Sequence, residues 1–288
     1  MVSIIVCSKK YDLLAILSEN ISKSIGVVHE LIAIDNSNNK YSIFEAYNEG
    51  TKVAKYETLL YLHEDIMFLT EGWGNTIVDY FESIKDLGVV GVAGSKIKTK
   101  APSGWWDSPM DKWVMHLYQK QQDGKIVLDD CGWESNEKYS EVVMLDGVLL
   151  ATHKKHSLSF DEKIKGFHGY DSNICMEAFK RNLKVIVTRE ILLEHYSTGK
   201  ANKDWVSSAN YLYKKYAKYL PLGNFDSKKM DILEEENYLK FINKCIAEKA
   251  LQTAILYWLR LIIKKPFLKK HFMVLKGIVY GKPFLPYA

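Results

Sequence analysis

His63, Glu64 and Asp65 close the apolar run Thr58-Leu-Leu-Tyr-Leu, so three groups able to bind a metal stand at the end of what reads as a buried strand. Side chains alternate along a strand, so where that geometry persists His63 and Asp65 lie on one side and Glu64 on the other. One imidazole and one carboxylate make an incomplete ligand set. It suits Mn²⁺ or Mg²⁺ when phosphate oxygens and water complete the sphere. A solvated turn after a strand is the competing reading of the same residues. His195, in Leu192-Leu-Glu-His195-Tyr-Ser-Thr-Gly199, follows another short apolar run and is the candidate third ligand. Its alternative is a histidine satisfied within the core.

Asp171 ends Phe167-His168-Gly169-Tyr170-Asp171, just where a helix is expected to start. An acid there can cap the helix, stabilising it by about 1 kcal/mol. It can equally serve as a general base, in a setting where Gly169 permits close approach and His168 and Tyr170 supply polar and aromatic surface. Asp35-Asn36-Ser37 closes the second strand. There an acid can accept hydrogen bonds from a base or ribose, or form an Asx turn. Trp105-Trp106, between Gly104 and Asp107, can stack on a sugar or nucleobase or plug the space beneath a loop.

The elements that must hold these groups alternate. Strand-like runs at Val2–Cys7, Glu30–Asp35, Thr58–His63 and Gly88–Gly94 are separated by helical patterns at Tyr11–Ser24, Ile43–Ala54 and Trp73–Ile84, with Leu13, Leu14, Leu17 and Ile21 at helical spacing in the first. This order predicts an α/β fold with a parallel sheet and right-handed crossovers, whose ligand crevice lies beyond the carboxyl ends of the strands. Residues 96–140, with Pro102, Gly104, Pro109, Gly124, Gly132 and four Trp, read as loop-rich, lid-like or acceptor-facing. A strand over Glu141–Thr152 interrupted at Asp146-Gly147, a helix over Asp171–Asn182, a strand over Lys184–Val187 and a helix over Asp204–Tyr219 follow. Leu220-Pro-Leu-Gly223 marks a domain boundary, giving a domain over 1–222 and a basic amphipathic region over 223–288, with one or two helices between Asp226 and Lys264.

Composition narrows the classes. With 47% hydrophobic and 26% charged residues in 288, the chain can bury a substantial core and is not disordered. Cys7, Cys131, Cys175 and Cys245 show neither a CxxC pair nor zinc-ligand spacing, and read as thiols in a reducing compartment. The N-terminus lacks a signal-peptide pattern, so a cytoplasmic location is expected. No GxGxxG follows the first strand and no GxxxxGK[ST] occurs, which argues against a dinucleotide-dependent oxidoreductase and a P-loop NTPase. The net charge of +4 is uneven. From Lys249 to Ala288 there are eight basic residues and no acidic one, so residues 1–248 carry +4 minus +8, or −4. Such a tail suits the anionic inner membrane face or a solvated helical cap with an oligomer contact. Its apolar stretch Ala254–Ile263, interrupted by Arg260, is far short of the ~20 residues a spanning helix needs. It is apolar rather than groove-like, and no nucleic-acid-binding module is present.

Taken together, Ile34-Asp35-Asn36-Ser37, Ala46-Tyr-Asn48-Glu-Gly50, His63-Glu64-Asp65, Gly91-Val-Ala-Gly94, Trp105-Trp106, Leu145-Asp146-Gly147, Phe160-Asp-Glu162, Phe167–Asp171 and Glu194-His195 resemble, in order and spacing, a GT-A fold glycosyltransferase of the bacterial family-2-like group over about residues 1–222. The resemblance implies a Rossmann-like, mostly parallel sheet with a C-terminal helical appendage. It implies a nucleotide-sugar donor, a UDP-sugar favoured, over the N-terminal sheet near Ser8, Asp35, Asn36 and Asn48. By the same resemblance Asp65 matches the last acid of the family's DxD motif and reaches the diphosphate through the metal, His63 stands in place of its first Asp, and His195 completes the metal site. Asp146 and Gly147 line the donor-sugar and acceptor pocket, Asp171 is the catalytic base, and Trp105, Trp106, His168 and Tyr170 face the sugar or acceptor.

The chain departs from that pattern in three places. Ser8-Lys9-Lys10 stands where Pro-x-Tyr-Asn is common, Asn173 replaces a second acid, and Gln-x-x-Arg-Trp is missing, which argues against a processive polysaccharide synthase. The expected reaction is inverting transfer to a hydroxyl on a glycan or lipid-linked acceptor, in bacterial surface polysaccharide or glycoconjugate synthesis. A non-catalytic nucleotide-sugar or carbohydrate-binding module on the same fold is the alternative. A nucleotidyltransferase would need a Gly-rich, basic loop after the first strand, and Ser8-Lys9-Lys10 contains no glycine.

Overall fold

The apolar run at the N-terminus becomes a strand buried on both faces. In the computed structural model, which describes residues 1–197, 199 and 201–285, β1 (Val2–Ser8) keeps Val2, Ile4, Ile5 and Val6 out of solvent. It is followed by α1 (Tyr11–Ser24), β2 (His29–Asp35), α2 (Ile43–Val53) and β3 (Thr58–Leu62). Helix α1 buries Leu17 and Ile21 from its expected stripe. Helix α2 starts at a reciprocal capping box in which Ser42 and Glu45 satisfy each other's backbone N–H groups. Strand β1 pairs in parallel with β2 on one side and β3 on the other, as the β-α-β-α-β order predicts.

Beyond β3 the chain divides between two sheets. Strands β4 (Ile66–Phe68), β5 (Leu87–Gly91), β6 (Ala93–Ser95), β7 (Trp113–Lys120), β8 (Ile126–Cys131), β9 (Tyr139–Val142), β10 (Met144–Leu145), β11 (Leu149–His153), β12 (Lys184–Thr188) and β13 (Leu193–His195) follow, with α3 (Trp73–Ser83) before β5 and α4 (Tyr170–Phe179) before β12. The larger sheet runs β2-β1-β3-β11-β5-β12-β9 and the smaller β10-β6-β7-β13-β4, with β8 added on β7. Strand β11 is antiparallel to both β3 and β5, and β9 to β12, so β11 and β9 run against the other five strands of the larger sheet.

Three sequence expectations change. The single strand expected over Gly88–Gly94 passes from one sheet to the other at Val92. The interrupted strand expected over Glu141–Thr152 is three strands shared between both sheets. Residues 96–140 are not only loop, because β7 and β8 form an antiparallel hairpin there, whose polar tip reduces its apolar alternation to a short signal.

Helix α5 (Lys203–Tyr216) is capped by Asn202, which accepts from Trp205 N at 3.0 Å. Three helices follow: α6 (Ser227–Ala247), α7 (Leu251–Lys264) and α8 (His271–Tyr280). The last lies beyond the helical stretch read from the sequence, and residues 286–288 of the basic tail lie outside the described residues. A second core joins Tyr238, Phe241, Ile242, Tyr257 and Leu261 to Trp205, Val206 and Ala209 of α5. Packing therefore crosses the expected 222–223 boundary.

Candidate active site

The tripeptide His63-Glu64-Asp65 is where the chain leaves one sheet for the other, between β3 and β4. The bend is held on both sides: His63 N donates to Val148 O at 3.2 Å and Tyr196 N to Asp65 O at 3.0 Å. Strand β13 runs antiparallel to β4 with His195 opposite Ile66, which brings an imidazole from far along the chain beside Asp65. His63 Nδ1 lies 3.2 Å from His195 Nε2, and Asp65 Oδ1 lies 3.8 Å from each of these nitrogens. All three ligand atoms fall within 4.8 Å of one another.

The surroundings fit a cation. Gln119 Oε1 is 2.9 Å from His195 Nδ1; accepting that N–H leaves the Nε2 lone pair facing the cluster. The Tyr170 hydroxyl is 2.5 Å from His63 Nε2, and metal binding through Nδ1 requires Nε2–H to donate to that oxygen. Burial, and next the neighbouring His63, depress the basicity of His195, which favours the neutral ligand form. Fixing the far nitrogen of each ligating histidine is what supports of metal sites do.

Glu64 points the other way. One of its carboxylate oxygens accepts from Ser8 Oγ at 2.8 Å, Lys9 N at 2.9 Å and Lys10 N at 3.1 Å, so it fastens the loop after β1. Ser8, expected at the donor, is buried and spends its hydroxyl on this anchor.

On the His63 side opens a cavity of about 620 Å³, lined among others by Trp106, Asp146, Asp171, His195 and Trp205. Asp171 sits in the first turn of α4 rather than at its cap, which is Gly169 with φ of 83°, a left-handed conformation that favours glycine. Asp171 is half-buried and lines the cavity. Burial first, and then the Asp146 carboxylate, push it up to about 7, against the opposing pull of the Ser172 N–H and Lys98. Lys98 is buried, donates to Ser103 Oγ at 2.7 Å, and is lowered to about 8 by burial.

Asp146 accepts from Trp105 Nε1 at 2.9 Å and from Val148 N at 2.9 Å, so it is fixed as it faces the cavity. Gly147 leaves room for Tyr170: a Cβ there would lie 2.1 Å from the phenol oxygen. Trp105 is buried as a support and meets Trp106 edge-on at 6.1 Å. Trp106, 43% exposed, tilts against Trp205 at 6.2 Å. His168 also lines the cavity, its basicity reduced by burial.

Asp35, Asn36 and Asn48, expected at the donor, are each held by hydrogen bonds within the chain. Asp35 is exposed at the end of β2 and its Oδ1 accepts from Ser37 N at 2.9 Å, the Asx turn that the tripeptide allows. Asn36 is fully buried and bonds both ways with the backbone of Tyr41 at 2.9 Å. Asn48 does the same with Phe160 at 2.8 and 3.0 Å. These bonds, with a further one from Asn48 Nδ2 to Glu162 Oε1 at 2.9 Å, hold both amides in place. Tyr170, expected to face the acceptor, is a buried wall of the cavity whose hydroxyl serves His63. Thr198 of the His195 motif lies outside the described residues. Sequence reasoning missed Gln119, Glu64's anchoring role, Lys98 and Trp205. Gln119 reaches His195, Glu64 the loop after β1 and Trp205 both Trp106 and Phe241, all far along the chain. Lys98 is held by nearby Ser103 and gains its place beside Asp171 only in the fold.

Residues 3–220 match the family described as "Glycosyltransferase like family". The chain belongs to that family. This glycosyltransferase-like chain also has the GT-A fold. It is similar to GalNAc-T7, solved with UDP, GalNAc and Mn²⁺, with a TM-score of 0.51 and 12% identity over 82% of this chain and 54% of that one. The chain thus spans about half the length of that structure. It is similar too to the mannosyltransferase PcManGT from Pyrobaculum calidifontis, in complex with GDP-Man and Mn²⁺, with a TM-score of 0.50 and 13% identity over 98% of this chain and 81% of that one. No curated protein matches the chain.

Proposed function

We propose that this protein transfers a sugar, with inversion, from a nucleoside-diphosphate sugar, a UDP-sugar favoured, to a hydroxyl acceptor on a surface glycan or glycoconjugate precursor. The observation that carries the reading is Asp171, a carboxyl poised near 7 in the same cavity as His63 and His195. A base works best when its pKa lies near the working pH.

The acceptor oxygen attacks the anomeric carbon as its bond to the diphosphate breaks, and Asp171 takes the hydroxyl proton. A single displacement of this kind inverts the carbon. A divalent cation held by His63 Nδ1, Asp65 Oδ1 and His195 Nε2 supplies, when bound, positive charge beside the departing diphosphate. The loop anchored by Glu64, with Asp35 at the neighbouring strand end, borders the nucleotide. Trp106, backed by the buried Trp205, offers an aromatic face to the sugar or acceptor, and Asp146 stands beside it.

The test begins with nucleotide sugars and Mn²⁺, read by thermal stabilisation and by slow hydrolysis of the donor. Asp171→Asn is expected to keep donor binding and lose transfer by roughly 10²- to 10⁴-fold. Full transfer by the folded variant would remove Asp171 as base. Stabilisation without turnover, with acceptors supplied, would instead make the protein a binding module.

A further inference from the structure

The outward faces of the last two helices are apolar and basic at once. Helix α7 turns Ala254, Tyr257 and Leu261 inward and leaves Ile255, Leu259 and Ile263 outward, the last 83% exposed. Helix α8 buries Val274 and Gly277 and exposes Phe272, Leu275 and Val279. Phe267, in the turn between them, is 96% exposed. Scattered exposed apolar residues are ordinary, but stripes at helical spacing on two successive helices mark a surface that something covers.

Charge indicates what covers it. Residues 249–288 hold eight basic residues and no acidic one. Lys264, Lys265 and Lys270 pair with Asp231, Glu234 and Glu235 of α6. Lys249, Lys269, Lys276 and Lys282 are exposed, and none has an ion pair to an acid among the described residues. Two copies meeting through this face would set lysine against lysine, whereas an anionic lipid surface accepts both the apolar stripe and the charges.

We propose that α7 and α8 form a docking face for an anionic bilayer, lying in its plane with Ile263, Phe267 and Val279 entering the boundary between headgroups and acyl chains. No helix among the described residues is long and apolar enough to cross a membrane, and two amphipathic helices about 21 and 15 Å long suit an interfacial seat. The face is mechanically joined to the cavity. Helix α6 packs against α7, and its Phe241 meets Trp205 at 6.0 Å, the residue that flanks Trp106 in the cavity wall. Docking here presents the cavity to acceptors carried by the lipid surface. The docking face itself does not depend on the transfer reaction.

Sedimentation of the full chain with vesicles tests this. Binding is expected to phosphatidylcholine vesicles containing phosphatidylglycerol, weakening as salt rises, and not to phosphatidylcholine alone. Ile263→Asp with Phe267→Asp, and separately Lys269→Glu with Lys276→Glu, are each expected to weaken binding by about tenfold or more. Circular dichroism and donor-induced stabilisation should remain those of the parent, since all four positions are exposed. Failure of the parent to bind, or equal binding by the charge-reversed variant, overturns the proposal. So does a dimer seen by analytical ultracentrifugation that Phe267→Asp dissolves.

Discussion

Tyr170→Phe removes one oxygen from the site and separates two roles that Tyr170 combines. The ring packs edge-on to Phe44 at 6.4 Å and Tyr47 at 5.6 Å, and phenylalanine keeps those contacts. What is lost is the 2.5 Å contact with His63 Nε2. His63 is partly accessible, its side chain 29% exposed, so water can take up the freed N–H. The stability loss should therefore stay near the ~1 kcal/mol of an ordinary hydrogen bond. Metal affinity should suffer more, because nothing then fixes His63 with its Nδ1 lone pair toward Asp65 and His195. Losing such a support costs about 10- to 100-fold in affinity, or ~1.4–2.7 kcal/mol. Mn²⁺ titration followed by calorimetry, beside urea denaturation of the metal-free protein, measures both quantities. Unchanged Mn²⁺ affinity with a normal fold would refute the assignment of Tyr170 as the support of His63. A loss of stability as large as the loss of affinity would show that the hydroxyl supports the fold around the site, not the orientation of His63 alone.

Glu64→Ala strips three donors of their acceptor; it should cost ~1–3 kcal/mol and raise the donor KM while changing Mn²⁺ affinity little, as steady-state kinetics and metal titration can show. The acidic limb of kcat/KM should fall near the Asp171 value of about 7, with activity rising as pH increases through it, and Asp146→Asn should move that limb to lower pH by removing the nearby carboxylate. Because the folded state holds the Asp171 proton to higher pH than the unfolded chain, whose value is about 3.9, this residue's contribution to stability is present at low pH and lost as pH rises through about 7. Asp171→Asn should accordingly gain stability over the parent on going from pH 4 to pH 8, a trend that denaturation at each pH would test. Trp106→Ala, at a half-open position, should raise the acceptor KM with little loss of stability, and an unchanged acceptor KM would remove Trp106 from the binding surface.

Much of the frame was legible in the chain because it is written in short-range patterns. The spacing of Leu17 and Ile21 marks α1, and the apolar runs at Val2 and Thr58 give β1 and β3. Strand alternation continued through residues 63–65 sets Glu64 opposite His63 and Asp65; β3 ends at Leu62 and the chain bends there, yet Glu64 does turn away, to Ser8, Lys9 and Lys10. The basic, acid-free tail is equally plain from the residues alone.

The tertiary structure decided what those groups do. His63 and His195 are 132 positions apart, and only the antiparallel pairing of β4 with β13 sets them side by side. The partners of Asn36 and Asn48 also come from the fold, which brings the backbone of Tyr41 to one and that of Phe160, 112 positions away, to the other. Asp171 is an ordinary acid in sequence; its poise near 7 comes from burial and from Asp146, held nearby by Trp105 and Val148. Periodicity is local and survives in sequence. Ligand geometry, desolvation and the spending of hydrogen bonds depend on neighbours that only folding supplies.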